Sequence, residues 1–167
     1  MEKIIYAAYG SNMNLQQMKQ RCPRAKVIGK GQLKNYRLTF RGVKYGVANI
    51  EEKHGYNVPI VLWEITNQCE KALDRYEGYP DLYIKKEIKV MMEDGTEVTA
   101  MAYVMTNIYG KLPAKPLERY INVIWEGYKD NGIPVNTLRT AISESHKEID
   151  YLESENKKNK FSKSYQN

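Results

Sequence analysis

Hydrophobic and polar positions along this chain change period several times, and each change marks an element. The run KIIYAAY, from Lys3 to Tyr9, is nearly all apolar, the mark of a strand buried on both faces. Gly10 cuts it off. Two small polar residues, Ser11 and Asn12, follow, and Leu15 and Met18 then take helical spacing over 14–20 until Pro23 stops them. Asn12 or Asn14 is placed to cap that helix. Extended segments are expected at 25–31, 34–41, 46–50 and 58–65, where β-branched and aromatic residues are punctuated by glycines. The polar EEKHGYN between the last two reads as a loop, either binding or connecting, and GKG at 29–31 reads as a turn.

The period becomes helical in TNQCEKALDRYEGYP. Cys69, Ala72, Leu73 and Tyr76 share a face, Asn67 with Glu70 fits a capping box, and Gly78 and Pro80 end the helix. Two strands, Tyr83 to Met92 and Glu97 to Thr106, flank Asp94-Gly95 as a hairpin. After a loop with Pro113 and Pro116 comes the strongest helical pattern, with Leu117, Tyr120, Ile121, Ile124, Trp125 and Tyr128 on one face and Gly132 and Pro134 as the stop. A second helix carries Val135, Leu138 and Ile142. From His146 the chain turns polar and lysine-rich; its first turns suit a helix and its end, KKNKFSKSYQN, suits disorder. The pattern predicts one mixed α+β domain over 1–145 and a tail over 146–167.

Composition changes this picture little, except in three respects. The formal charge of +6 raises nucleic acid as a partner, yet lysines and arginines are scattered among acids, as in IKKEIKVMMED, so no nucleic-acid surface is expected. No stretch is long and apolar enough to span a bilayer, and the N-terminus lacks a signal peptide's apolar block, so no membrane association and a cytoplasmic location are expected. Cys22 and Cys69 have neither metal-ligand nor CxxC spacing and read as small core residues, without a disulfide framework. Fourteen tyrosines against two phenylalanines is the unusual balance, since tyrosine lines pockets that hold polar ligands. The aromatic face from Tyr120 to Tyr128 can pack internally or against a second copy, which makes a homodimer possible.

Two sites carry candidate chemistry. A strand ending in Gly10, Ser11 and Asn12 just before a helix presents main-chain N–H groups suited to an anion, while an ordinary capped turn has the same composition. Glu77 stands in the last helical turn, where the negative end of the dipole disfavours a carboxylate. With Cys69 as zero, Leu73 falls at about 40° and Glu77 at about 80° around the helix, at the rim of the apolar face. Partial burial there would raise its pKa toward neutrality; a solvated glutamate at a frayed end fits the same position. His54 and His146 are too few and too far apart for a metal site or a nucleophilic relay. No cofactor motif is present.

YGSN after the first strand, LDRYEGYPDLY, a hairpin ending AYVMTN and the segment YINVIWEGYKDNGIP follow in an order and spacing that resembles the γ-glutamylcyclotransferase family and its AIG2-like relatives, from about Tyr6 to Leu138. The resemblance implies a γ-glutamylcyclotransferase-like mixed β-barrel flanked by helices, needing no metal or cofactor. It implies a small-molecule γ-glutamyl substrate, whose own α-amine attacks the side-chain carbonyl to give 5-oxoproline and a freed amine. Glu77 matches the family's catalytic glutamate; Tyr6, Ala7, Ala8, Tyr9, Gly10 and Ser11, with Asn12, match its binding stretch; Tyr83, Tyr103 and Tyr120 fall where it places pocket aromatics. The leaving group stays open between an amino acid, an alkylamine and a biosynthetic intermediate bearing a removable γ-glutamyl cap. A non-catalytic binding module on the same fold is the alternative of a different class.

Overall fold

A computed structural model describes residues 3–164. Five strands are present among them, β1 (Ile4–Ala8), β2 (Lys26–Arg41), β3 (Val47–Ile65), β4 (Tyr83–Met92) and β5 (Glu97–Met105), with four helices, α1 (Leu15–Arg21), α2 (Asn67–Glu77), α3 (Glu118–Asp130) and α4 (Asn136–Ser164). The strands close into a barrel in the order β1-β3-β2-β4-β5. β5 returns to β1 by a parallel pairing, Tyr6 to Met101, while the other neighbours run antiparallel. Phe40, Ile60, Val61, Leu62, Ile65 and Val90 are among the fully buried residues of the core, which covers both faces of β3.

Two expected breaks are absent, for identifiable reasons. The segments at 25–31 and 34–41 are one strand, β2, in which the GKG stretch is not a turn. Gly31 lies opposite Met92 where β2 meets β4, and a Cβ on it would stand 2.5 Å from the Met91 carbonyl oxygen. Glycine serves there for close backbone approach rather than for reversal. The segments at 46–50 and 58–65 likewise join through EEKHGYN into β3. Those residues pair with 34–37 in an exposed part of the two-stranded β2–β3 arm, so they bury no face and read as polar. Gly55, at φ 83°, donates its N–H to Asn35 Oδ1 at the irregularity.

Helix ends differ in detail. Asn14 caps α1 by accepting from the Gln17 N–H. Thr66, not Asn67, caps α2, its hydroxyl accepting from the Cys69 N–H. α4 continues past residue 145 to Ser164, held to the barrel by buried Leu138 and Ala141, by Tyr56–Glu144 at 2.9 Å and by Arg41–Glu148 at 2.7 Å. The expected disorder from Lys157 onward is therefore replaced by helix to Ser164; the remainder of that stretch, 165–167, lies outside the described residues. Cys22 and Cys69 are buried, as expected of core residues, but they are joined in a disulfide that links the end of α1 to the start of α2.

α3 fixes the turn after β1. Gly127 packs so closely that a Cβ would come within 2.7 Å of the Asn14 nitrogen. Asn131 donates to the Met13 carbonyl at 2.8 Å, and Asn14 donates to the Val123 carbonyl at 3.0 Å. Ile124 and Tyr128 are fully buried on the same face, while Tyr120 and Trp125 are partly buried and pack against the core.

Candidate active site

Beyond Ala8 the chain makes a single 3-10 turn, Ser11–Met13, before α1 begins. Gly10 there has φ −121°, a conformation open to any residue, but a Cβ would lie 3.0 Å from the Ala48 Cβ. Its smallness is needed for that approach. Ser11 and Asn12 are buried although polar, which requires partners. Ser11 Oγ bonds the Tyr76 hydroxyl at 3.1 Å, and the Asn12 carbonyl accepts from Trp63 Nε1 at 3.0 Å.

Across a pocket of about 190 Å3 stands Glu77. It is the last residue of α2, and Gly78, left-handed at φ 65°, turns the chain away immediately after it. Glu77 Oε1 accepts from Asn12 Nδ2 at 3.0 Å, and the same amide group donates to the Tyr6 hydroxyl at 2.9 Å. Burial is the largest influence on the Glu77 carboxyl and pushes it up to about 7; the charge of Arg21 and the Asn12 hydrogen bond pull the other way. A carboxyl poised there exchanges a proton readily at neutral pH.

The tyrosines divide by how their hydroxyls are already used. Tyr9 donates to the Tyr103 carbonyl, Tyr83 to the Ala48 carbonyl, both at 2.5 Å, and Tyr103 to Asp74 at 2.6 Å. Tyr6 and Tyr120 instead accept, from Asn12 and from the Ala48 N–H at 2.9 Å, and no acceptor among the described residues takes their protons. Burial, the largest cause in each case, holds all five hydroxyls above the ordinary tyrosine value, so they stay neutral. Two free O–H donors therefore border the pocket, beside lone pairs of hydroxyls whose protons are committed.

Of the residues singled out in the sequence, Tyr6, Tyr9, Gly10, Ser11, Asn12, Glu77, Tyr83, Tyr103 and Tyr120 meet around this pocket. Ala7 and Ala8 do not line it; they are buried in β1 and carry the turn. Val47, Ala48, Tyr76 and Leu82 complete the wall without having been singled out as site residues. Tyr76 was counted with the apolar face of α2, whereas the residue is 45% exposed and its ring centre lies 3.6 Å from the Arg21 guanidinium carbon. Adjacency to Glu77 was the available signal for Tyr76. None marked Ala48, whose position depends on the barrel's closure. His54 in β3 and His146 in α4 are not part of the wall, and among the described residues no group of three His, Cys, Asp or Glu side chains converges.

A small closed barrel thus carries a pocket in which a buried carboxyl, raised toward neutrality, faces neutral hydroxyl donors. A family model described as gamma-glutamyl cyclotransferase, AIG2-like, matches residues 6–127. Gamma-glutamylcyclotransferases of Homo sapiens and Bos taurus are each 32% identical to the chain over 143 residues, covering 80% of it and 74% of their own length. A solved gamma-glutamyl cyclotransferase superimposes with a TM-score of 0.75 at 30% identity, covering 84% of this chain and 86% of that one. The chain belongs to the γ-glutamyl cyclotransferase, AIG2-like family.

Proposed function

We propose that the protein cyclises a γ-glutamyl group to 5-oxoproline and releases the amine or amino acid attached to it, with Glu77 as general base and then general acid. The observation that carries this reading is the buried Glu77 carboxyl, raised to about 7 and facing the Gly10–Asn12 turn across one pocket. Its ionised form takes a proton from the substrate's α-ammonium. The freed nitrogen attacks the side-chain carbonyl carbon, a C–N bond closes the five-membered ring, and the carbonyl oxygen becomes an oxyanion. Collapse breaks the bond to the departing nitrogen as Glu77 returns the proton to it, and the ring nitrogen sheds its second surplus proton, which leaves on the released amine as an ammonium. Atoms and charge balance without a second reactant. Because nucleophile and electrophile share one molecule, holding the glutamyl chain folded supplies much of the rate.

The hydroxyl inventory suits this substrate. The Tyr6 and Tyr120 protons and the main-chain N–H groups of the turn are donors for the α-carboxylate and the oxyanion. The lone pairs of Tyr9 and Tyr83, beside Glu77, suit the ammonium. The pocket is small for a whole ligand site, and it fits a glutamyl moiety with the leaving group projecting outward. Retention of Glu77 favours an enzyme over a silent binding module. The test is a panel of γ-glutamyl-alanine, γ-glutamyl-ε-lysine, γ-glutamyl-butylamine and glutathione, assayed for 5-oxoproline. Turnover of any member supports the reading and identifies the leaving group; a folded protein that binds 5-oxoproline in a thermal-shift assay yet turns over none supports the binding module. A cytoplasmic location belongs to the same proposal and bears on the cysteines, because reducing compartments keep thiols unpaired. Because both side chains are buried, thiol labelling under denaturing conditions of the protein taken directly from cells reads this: a labelled Cys22 and Cys69 fits the cytoplasm, a protected pair does not.

A further inference from the structure

Arg21 is the last residue of α1 and takes no part in the pocket wall. Its guanidinium donates to Asn12 Oδ1 at 2.7 Å and to Gln17 Oε1 at 2.6 Å, and lies 3.6 Å from the centre of the Tyr76 ring. The Asn12 amide beyond it points its nitrogen at Glu77 Oε1 and at the Tyr6 hydroxyl. An amide is nearly symmetrical in shape, and its orientation is set by what it faces. With a guanidinium on one side and a carboxylate on the other, only one orientation is favourable. A flip would set N–H against N–H and oxygen against oxygen.

Resting on the cyclotransferase reading, we propose that Arg21 is a positioning residue of the reaction: it locks the Asn12 amide so that Oε1 of Glu77 stays engaged and Oε2 is left to exchange the proton. The same lock makes the Tyr6 hydroxyl an acceptor and turns its proton toward the substrate. Besides Tyr76 of its own helix, the titratable groups that face Glu77 are Tyr6 of β1, Tyr9 directly after it, Tyr83 of β4, Tyr103 of β5 and Tyr120 of α3. Those five are held neutral by burial. Arg21 is thus the cation acting on the carboxyl, and it acts from one residue away, without pairing with it and quenching its basicity. Its pull opposes the effect of burial.

The experiment titrates the Glu77 carboxyl by carbon-detected NMR of glutamate-labelled protein in wild type, Arg21→Met and Arg21→Lys, with Glu77→Gln assigning the signal. The Glu77 midpoint is expected to rise in Arg21→Met and to return toward wild type in Arg21→Lys, whose charge is restored. On whichever γ-glutamyl compound the wild type turns over, Arg21→Met is expected to lower kcat about 10- to 100-fold, with KM changed far less and the acid limb of kcat/KM moved to higher pH. An unmoved midpoint in a folded Arg21→Met protein overturns the proposal, as does a normal kcat. Circular dichroism checks folding, and should Arg21→Met fail to fold, Arg21→Gln takes its place: it is neutral and can bond the Asn12 amide in either orientation, so an unmoved midpoint or a normal kcat in that variant overturns the positioning role. Absence of turnover in the wild type counts against the cyclotransferase reading, while the NMR midpoint still judges the role of Arg21.

Discussion

Glu77 carries opposite consequences for activity and for stability, and both follow from where its carboxyl sits. As the base it must be ionised before attack, so kcat/KM is expected to fall as pH drops through about 7. For stability the sign reverses. Its folded pKa lies above the ordinary glutamate value, so below that ordinary value the carboxyl is neutral in both folded and unfolded states and nothing is lost. As pH rises through about 7 the folded protein must hold a buried charge that the unfolded chain holds in water, and stability declines. Glu77→Gln is therefore expected to melt at higher temperature than wild type at pH 8, with the difference shrinking toward pH 5. Thermal melts across that range read it, and an equal difference at both pH values would mean the substitution acts through packing instead.

At the scale of elements, the site depends on how tightly α3 and α2 hold their ends of the pocket. Gly127 lets α3 touch the backbone of Met13 and Asn14. Gly127→Ala is expected to destabilise the protein by about 1–3 kcal/mol, seen as a lower urea midpoint, with activity lost in parallel as the turn shifts. At the other end, removing the Thr66 cap is expected to cost about 1 kcal/mol, measured as Thr66→Ala by the same method. The elements themselves were largely legible, because α2, α3 and the β4–β5 hairpin each bury one face and so carry an unmistakable period. Asn67 was taken for the cap because the Asn-x-x-Glu spacing fits a capping box as well as Thr66 fits a simple cap, and only the backbone at Thr66 decides between them. The β2–β3 arm was read as four short pieces because its exposed part, around Asn35 and Gly55, pairs without burying anything. Nothing in a local pattern records a hydrogen-bonded ladder that faces water on both sides.

Across the whole molecule, closure brings together residues far apart in sequence. Glu77 was legible as a carboxylate in an uncomfortable place, and the turn at Gly10 as a possible anion site, from local chemistry alone. That they face each other, and that Arg21 stands behind them, depends on the barrel order and on the packing of α1 against α2, where Cys22 and Cys69 meet. Two cysteines separated by 47 residues gave no local sign of pairing. Replacing both, as Cys22→Ser with Cys69→Ser, is expected to lower stability by about 2–4 kcal/mol in oxidised protein, measured by urea unfolding. A reducing agent added to wild type should reproduce the loss, and a wild type indifferent to it would show that the pair contributes little to the fold.

The most direct measurement is 5-oxoproline release by wild type and Glu77→Gln side by side, at pH 8, on the best member of the γ-glutamyl panel, with folding of both checked by circular dichroism. Gln preserves the shape and the contact with Asn12 while removing the exchangeable proton, so release is expected to fall by at least about a hundredfold, with binding of 5-oxoproline retained. Release by a folded Glu77→Gln protein at close to the wild-type rate would contradict the assignment of Glu77 as the acid–base group.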